Sequence, residues 1–159
     1  MEEYDALVIP GGSGVLSNLC SEQGGNKIEP HQDLKEVVRL FHREGKALAM
    51  CGTATLIAPL LLPRNLTLQR KVKVYFGPAK SALSQSATKL WQQNRLEEVV
   101  ESVDDADGFF FDHGYNLYTT PASWTEQDIL HPDPEQRKKY HLVYSVIKRM
   151  LDVMNMVYE

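Results

Sequence analysis

Cys51 stands in the run Ala49-Met50-Cys51-Gly52-Thr53, with small residues two positions before and two positions after it. A nucleophile elbow needs that spacing, because a sharp strand-to-helix turn crowds its flanks while pushing the central side chain into a crevice. Unpaired N–H groups and the macrodipole of a following helix favour a thiolate there, which predicts a lowered pKa. A small buried hydrophobe satisfies the same pattern equally well, so the spacing alone leaves both readings open. A second candidate is Gly11-Gly12-Ser13-Gly14, which follows an apolar run and can present backbone N–H groups to an anion or oxyanion. Set out as a dinucleotide fingerprint it reads Gly12-x-Gly14-x-x-Ser17, with Ser in the third Gly position and no following strand ending in an acid at the proper distance. Nicotinamide or flavin binding is therefore not expected.

A thiolate nucleophile needs a base or acid nearby. The candidates are His31 and His42 on or beside an amphipathic segment, His113 and Asp112 in a hairpin turn, and His131 and His141 further on. None has a spacing that compels a dyad with Cys51. Cys20 has no comparable setting and reads as structural. The two cysteines offer no disulfide framework, and no C-x-x-C or H-x-x-x-H pair offers zinc spacing, so no metal is expected and a reducing compartment is favoured; with the dinucleotide fingerprint incomplete, no cofactor is expected.

The elements that must position these residues fit one domain spanning residues 1–159, within the usual length of about 100–200 residues. Apolar residues make up 43% and charged residues 24%, an ordinary globular balance. A net charge of −4, with no basic cluster beyond Arg70-Lys71 and Arg137-Lys138-Lys139, argues against nucleic acid as a partner. The stretch Ala54 to Leu62 is too short for a membrane span, which takes roughly 18 residues. The acidic start, Met1-Glu2-Glu3-Tyr4-Asp5, is neither a secretory signal nor an Arg-rich presequence, though a presequence removed earlier is compatible with it.

Ala6 to Ile9 reads as a buried strand closed by the glycine turn. Leu34, Val37, Val38 and Phe41 form the i, i+3, i+4, i+7 stripe of a helix bounded by Pro30 and Gly45. Ala47 to Met50 is a second strand, then a turn at Cys51 to Thr53, then a helix over Ala54 to Leu62. Leu66 to Gln69, Val72 to Phe76 and Val99 to Val103 read as strands, and Ser81 to Asn94 as a helix. Phe109 to Phe111 and Leu117 to Thr119 flank a turn whose His-Gly and Asn suit positive φ, which predicts an antiparallel pair. Pro121 to Pro134 is a loop by composition. Glu135 to Val157 is the longest helix candidate, with an apolar arc that suits either packing on the sheet plus a subunit contact or a simple core helix. Strands alternating with helices predict an α/β sheet with its ligand crevice at the carboxyl ends of the strands.

Three motifs in order carry a resemblance: Asp5 to Leu19, containing Ile9-Pro10-Gly11-Gly12; His42 to Cys51; and Tyr118-Thr119-Thr120-Pro121-Ala122. Together they resemble the class I glutamine amidotransferase-like superfamily that includes PfpI-type proteins, nearest its ElbB-type glyoxalase branch. The resemblance implies a flavodoxin-like three-layer sandwich with a mostly parallel sheet, usually dimeric, with Cys51 as elbow nucleophile. It implies that the backbone N–H groups of Gly12 and Gly52 form an oxyanion hole. In active relatives the Cys adds to a small 2-oxoaldehyde such as methylglyoxal, and the hemithioacetal rearranges to a hydroxy acid without metal or nicotinamide. Here Gly52 follows the Cys where protease-like members have His, and Cys51-Gly52-Thr53-Ala54 replaces the branch's Cys-Ile-Ala-Pro. Relatives also begin with a strand and helix before the equivalent of Asp5, and the acid beside their nucleophile follows that first strand. No counterpart precedes Asp5 here, so the N-terminal strand-helix unit is expected to be missing, cleaved or on another chain, and the expected role is a degenerate, non-catalytic subunit or binding component of a larger assembly, ahead of an authentic enzyme seen as a fragment. In that reading a homo-oligomer or other protein partner covers the N-terminal sheet edge. The alternative is a cofactor-independent glyoxalase-like enzyme that takes a small aldehyde at Cys51. The branch's eukaryotic members make a mitochondrial location the expectation, with the cytoplasm as alternative.

Overall fold

The computed structural model describes residues 3–23, 27–77, 82–103, 109–121 and 147–152. Its centre is a four-stranded sheet in the order β1 (Ala6–Ile9), β4 (Ala47–Cys51), β8 (Leu117–Thr120) and β7 (Phe110–Asp112). β1 and β8 both run parallel to β4, with Ile9 opposite Met50 and Cys51 opposite Thr120, while β7 returns antiparallel to β8. This is an α/β arrangement with a mostly parallel sheet, as the alternation of elements predicts.

β4 is buried along its whole length, and it reads as an unbroken apolar run because a parallel strand covered on both faces has no polar side. Leu48 and Met50 enter the larger core with Ile9, Val38, Phe41, Ile57 and Leu117. Ala47 and Ala49 face the other way, where Tyr118 and Met150 pack on them. Helix α2 (Gln32–Arg43) covers the first face through Val38 and Phe41. Its Gly45 closes the helix at φ +69, a left-handed conformation that glycine adopts without a Cβ penalty. Val37, on the same predicted stripe, is exposed. Residues 147–152 are helical and cover the second face, burying Met150 while Leu151 points outward. The rest of the predicted Glu135 to Val157 helix, the loop from Pro121 to Pro134 beyond its first residue, and His131 and His141 lie outside the described residues.

β5 (Val72–Val74) and β6 (Val100–Ser102) form a separate parallel pair. Instead of a ladder, side-chain acceptors fasten β5 to the β7–β8 hairpin: Lys73 N–H donates to Asp112 Oδ2 at 2.8 Å and Tyr75 N–H to Thr119 Oγ1 at 3.0 Å. Helix α5 (Ala82–Asn94) packs over the turn after β4, where Trp91 is buried and its indole N–H donates to Leu56 O at 3.2 Å.

One local reading differs from the sequence expectation, and three short elements lie outside it altogether. Leu66 to Gln69 belongs to a short helix, α4 (Arg64–Gln69), preceded by the four-residue α3 (Ala58–Leu61). Pro63 sets the start of α4, its carbonyl accepting from both Leu66 N–H and Thr67 N–H. The residues after Gly14 form a helix, α1 (Gly14–Leu19), and β2 (Cys20–Gln23) with β3 (Lys27–Pro30) makes an antiparallel pair before α2.

Candidate functional site

Because β1 and β4 are parallel neighbours in register, the turns that leave their carboxyl ends lie against one another. Gly11 sits flush on the Cys51–Gly52 peptide: a Cβ on Gly11 would stand 2.6 Å from Cys51 O and 3.1 Å from Gly52 Cα. No ordinary side chain fits there. Gly11→Ala is therefore expected to lower stability by about 2 kcal/mol, the usual cost of forcing atoms into a filled contact, as read from urea unfolding. The structure thus brings together the three residues singled out by sequence, Gly12, Cys51 and Gly52.

The corner they form is closed. Gly12 N–H donates to Thr53 Oγ1 at 3.0 Å, and the same hydroxyl donates to Gly12 O at 2.6 Å. This reciprocal pair engages the Gly12 N–H within the protein. Thr53 was not a sequence candidate, and its partner lies 41 residues away in the chain. Below it, Thr55 is buried and donates to Met50 O at 3.0 Å, bracing the start of the turn.

Cys51 itself is only 1% exposed. It keeps extended backbone angles, φ −118 and ψ 141, and is the last paired residue of β4; the positive φ of the turn, +53, falls on Gly52. An elbow nucleophile instead occupies the strained position itself, where the turn thrusts it outward. After Gly52 the chain forms a 3-10 segment, Gly52–Ile57, not a regular helix, so the aligned peptide dipoles behind the thiol are few. Burial dominates: it pushes the thiol up from an ordinary value of 9.0 to about 11, the opposite direction from the expectation of a helix-stabilised thiolate. Cys20 is likewise buried and raised, with Lys35 pulling slightly the other way.

The acid–base candidates lie elsewhere. Asp112 is opposite Leu117, which is opposite Leu48, three residues before Cys51 along β4. At about 3.3 Å per residue that is about 10 Å from the Cys51 end of the sheet. Asp112 is wholly buried and acts as a latch, accepting from Lys73 N–H, from Gly114 N–H at 2.9 Å and from Arg70 Nη2 at 3.0 Å. Tyr115 O–H donates to Arg70 O in the same cluster, and burial followed by the Asp112 charge raises its pKa. His113 packs edge-on against Phe111 at 4.3 Å, and His42 lies against Tyr115 at 5.6 Å. His31 is exposed at the start of α2 and makes no capping hydrogen bond. Among the described residues, no group of three or more His, Cys, Asp or Glu side chains could hold a metal, and no helix is long and apolar enough to cross a membrane.

No family model matches the chain. Over 132 residues, 77% of this chain and 44% of the relative, it is 26% identical to the human protein named glutamine amidotransferase-like class 1 domain-containing protein 3, mitochondrial. A crystal structure from Ehrlichia chaffeensis, titled an isoprenoid biosynthesis protein with amidotransferase-like domain, superposes with a TM-score of 0.62 at 23% identity. That superposition covers 96% of this chain and 61% of the other. The chain has a class 1 glutamine amidotransferase-like fold. A shorter match, 31% identical over 61 residues, joins 38% of this chain to 23% of ES1 protein, mitochondrial, from Danio rerio. In both curated relatives the matched part is less than half of the whole protein.

Proposed function

We propose that this amidotransferase-like domain is non-catalytic and serves as a subunit or binding component of a larger assembly. The observation that supports this reading most is the closed corner at Cys51: a thiol 1% exposed, raised to about 11 by burial, and held in a regular strand. At neutral pH such a group is a thiol, and the thiol is a poor nucleophile. The Thr53 hydroxyl on Gly12 N–H fits the same reading, since a donor already engaged is not free for an oxyanion. β1 forms one edge of the four-stranded sheet among the described residues, and Leu7 and Val8 on it are half-buried. Unpaired strand edges invite pairing, so that edge is the proposed site of the covering partner. The resemblance of the three sequence motifs supports the ElbB-type branch as the nearest in this proposal, and the two relatives named as mitochondrial support a mitochondrial compartment.

One observation favours the alternative, a glyoxalase-like enzyme: Gly12, Cys51 and Gly52 do converge at the carboxyl ends of two parallel strands, where ligands of such sheets bind. The test is hydroxy-acid formation from methylglyoxal by the wild-type chain and by Cys51→Ala. The proposal predicts the buffer rate for both, with sedimentation showing a species larger than a monomer. Turnover abolished by Cys51→Ala, or a monomer at all concentrations, would overturn the catalytic or the assembly half respectively.

A further inference from the structure

Away from Cys51, helix α2 and the start of α4 enclose a groove of about 680 Å³. This is within the roughly 300–1,000 Å³ typical of small-molecule sites. Its apolar lining comes from Leu40, Pro63 and Leu66, and its polar rim includes Arg39, Arg43 and Asn65. The two arginines are four residues apart and so project from one face of α2 on successive turns. Lys35 continues the line one turn earlier, and it is paired with Glu29. Among the described residues, the guanidinium groups of Arg39 and Arg43 have no ion pair and no side-chain hydrogen bond. Arg39 Nε is in addition buried without any hydrogen-bond partner. A buried guanidinium N–H with no acceptor is costly, and native structures supply one from protein, water or ligand. The Arg39 charge is felt along the helix: burial first and Arg39 second depress the pKa of Lys35.

We propose that this groove binds a small amphiphile with one anionic head, a carboxylate or a phosphate ester, clamped by Arg39 and Arg43 with its apolar body on Leu40, Pro63 and Leu66. Planar guanidinium forks match either head bidentately. Glu36, also on the rim, offsets one of the two positive charges, which leaves the groove matched to a head of single negative charge. The ligand's oxygen atoms accept from the unpaired guanidinium N–H groups of Arg39 and Arg43. The proposal is independent of Cys51 and stands whether or not that residue is reactive.

The experiment titrates the full chain with hexanoate, hexyl phosphate and inorganic phosphate, following backbone amide shifts by NMR, and repeats each titration with the Arg39→Gln/Arg43→Gln variant, its folding checked by circular dichroism. Expected are saturable shifts confined to α2 and the Pro63 to Leu66 segment, with at least one hexyl probe binding more tightly than inorganic phosphate. The double variant is expected to bind at least about tenfold more weakly, since charge-assisted hydrogen bonds to both heads are lost. The tighter of the two hexyl probes identifies the head group. Absence of saturable binding for both, or unchanged affinity in the folded variant, would overturn the proposal.

Discussion

Replacing Asp112 with alanine is expected to lower the unfolding free energy by about 2–4 kcal/mol, mainly through an N–H left without its acceptor. The carboxylate is fully buried, and it is the acceptor that joins β5 to the β7–β8 hairpin through Lys73 N–H while also holding the Gly114 turn. Its ion pair contributes less, because the Arg70 side chain is 56% exposed and water solvates it once the partner is gone. Arg70→Ala should therefore cost under about 1 kcal/mol, and Asp112→Asn, which keeps one acceptor oxygen, should fall between the two. For a chain of this size, the Asp112→Ala loss corresponds to a drop in Tm of about 10 °C. Urea unfolding of the three variants at neutral pH checks the order. An Asp112→Ala variant as stable as wild type would remove the latch from the description of the fold.

That role was hidden in the sequence, where Asp112 appears only as a weak candidate for acid–base work. Its partners Arg70 and Lys73 precede it by 42 and 39 residues, and no local pattern relates them. The elements that were legible are those whose burial is periodic. β1 and β4 are short apolar runs ended by glycine turns, and α2 combines a helical stripe with Gly45 beyond its end. The β7–β8 hairpin follows from its aromatic and β-branched flanks and from Asn116, which takes φ +48. Leu66 to Gln69 misled because Leu-Thr-Leu-Gln alternates like a strand. In the fold Thr67 is the buried residue, its hydroxyl donating to Arg64 O, while Leu68 is 53% exposed. The short Pro63-led helix overrides the alternation. β2 gives almost no signal because three of its four residues are exposed and polar.

The site was legible in its parts and not in its state. Residue types and spacing located Gly12, Cys51 and Gly52, and the parallel register of β1 and β4 juxtaposes them. What spacing does not convey is depth. Cys51 remains within the strand, the turn begins one residue later at Gly52, and Thr53 reaches across to Gly12. One residue of difference in where the chain turns separates a thiol thrust into a crevice from one sealed in the sheet.

The raised thiol carries a second expectation, with its sign fixed by linkage. Since the folded-state pKa lies above the ordinary value of 9.0, the folded chain holds this proton more tightly than the unfolded chain does. The contribution of Cys51 is complete below pH 9 and is lost as pH rises toward about 11, so stability declines across that window.

The most direct test of the closed corner is the pH dependence of iodoacetamide labelling at Cys51, followed by peptide mass spectrometry so that Cys20 is counted separately. At pH 7 a shift from 9.0 to about 11 lowers the thiolate fraction about 100-fold, and burial slows the reaction further. The predicted result is labelling at least about 100-fold slower than that of an unperturbed cysteine peptide, with no inflection below pH 9. Rapid, selective labelling of Cys51 with an inflection between pH 6 and 8 would contradict it, and would mark an activated nucleophile in its place.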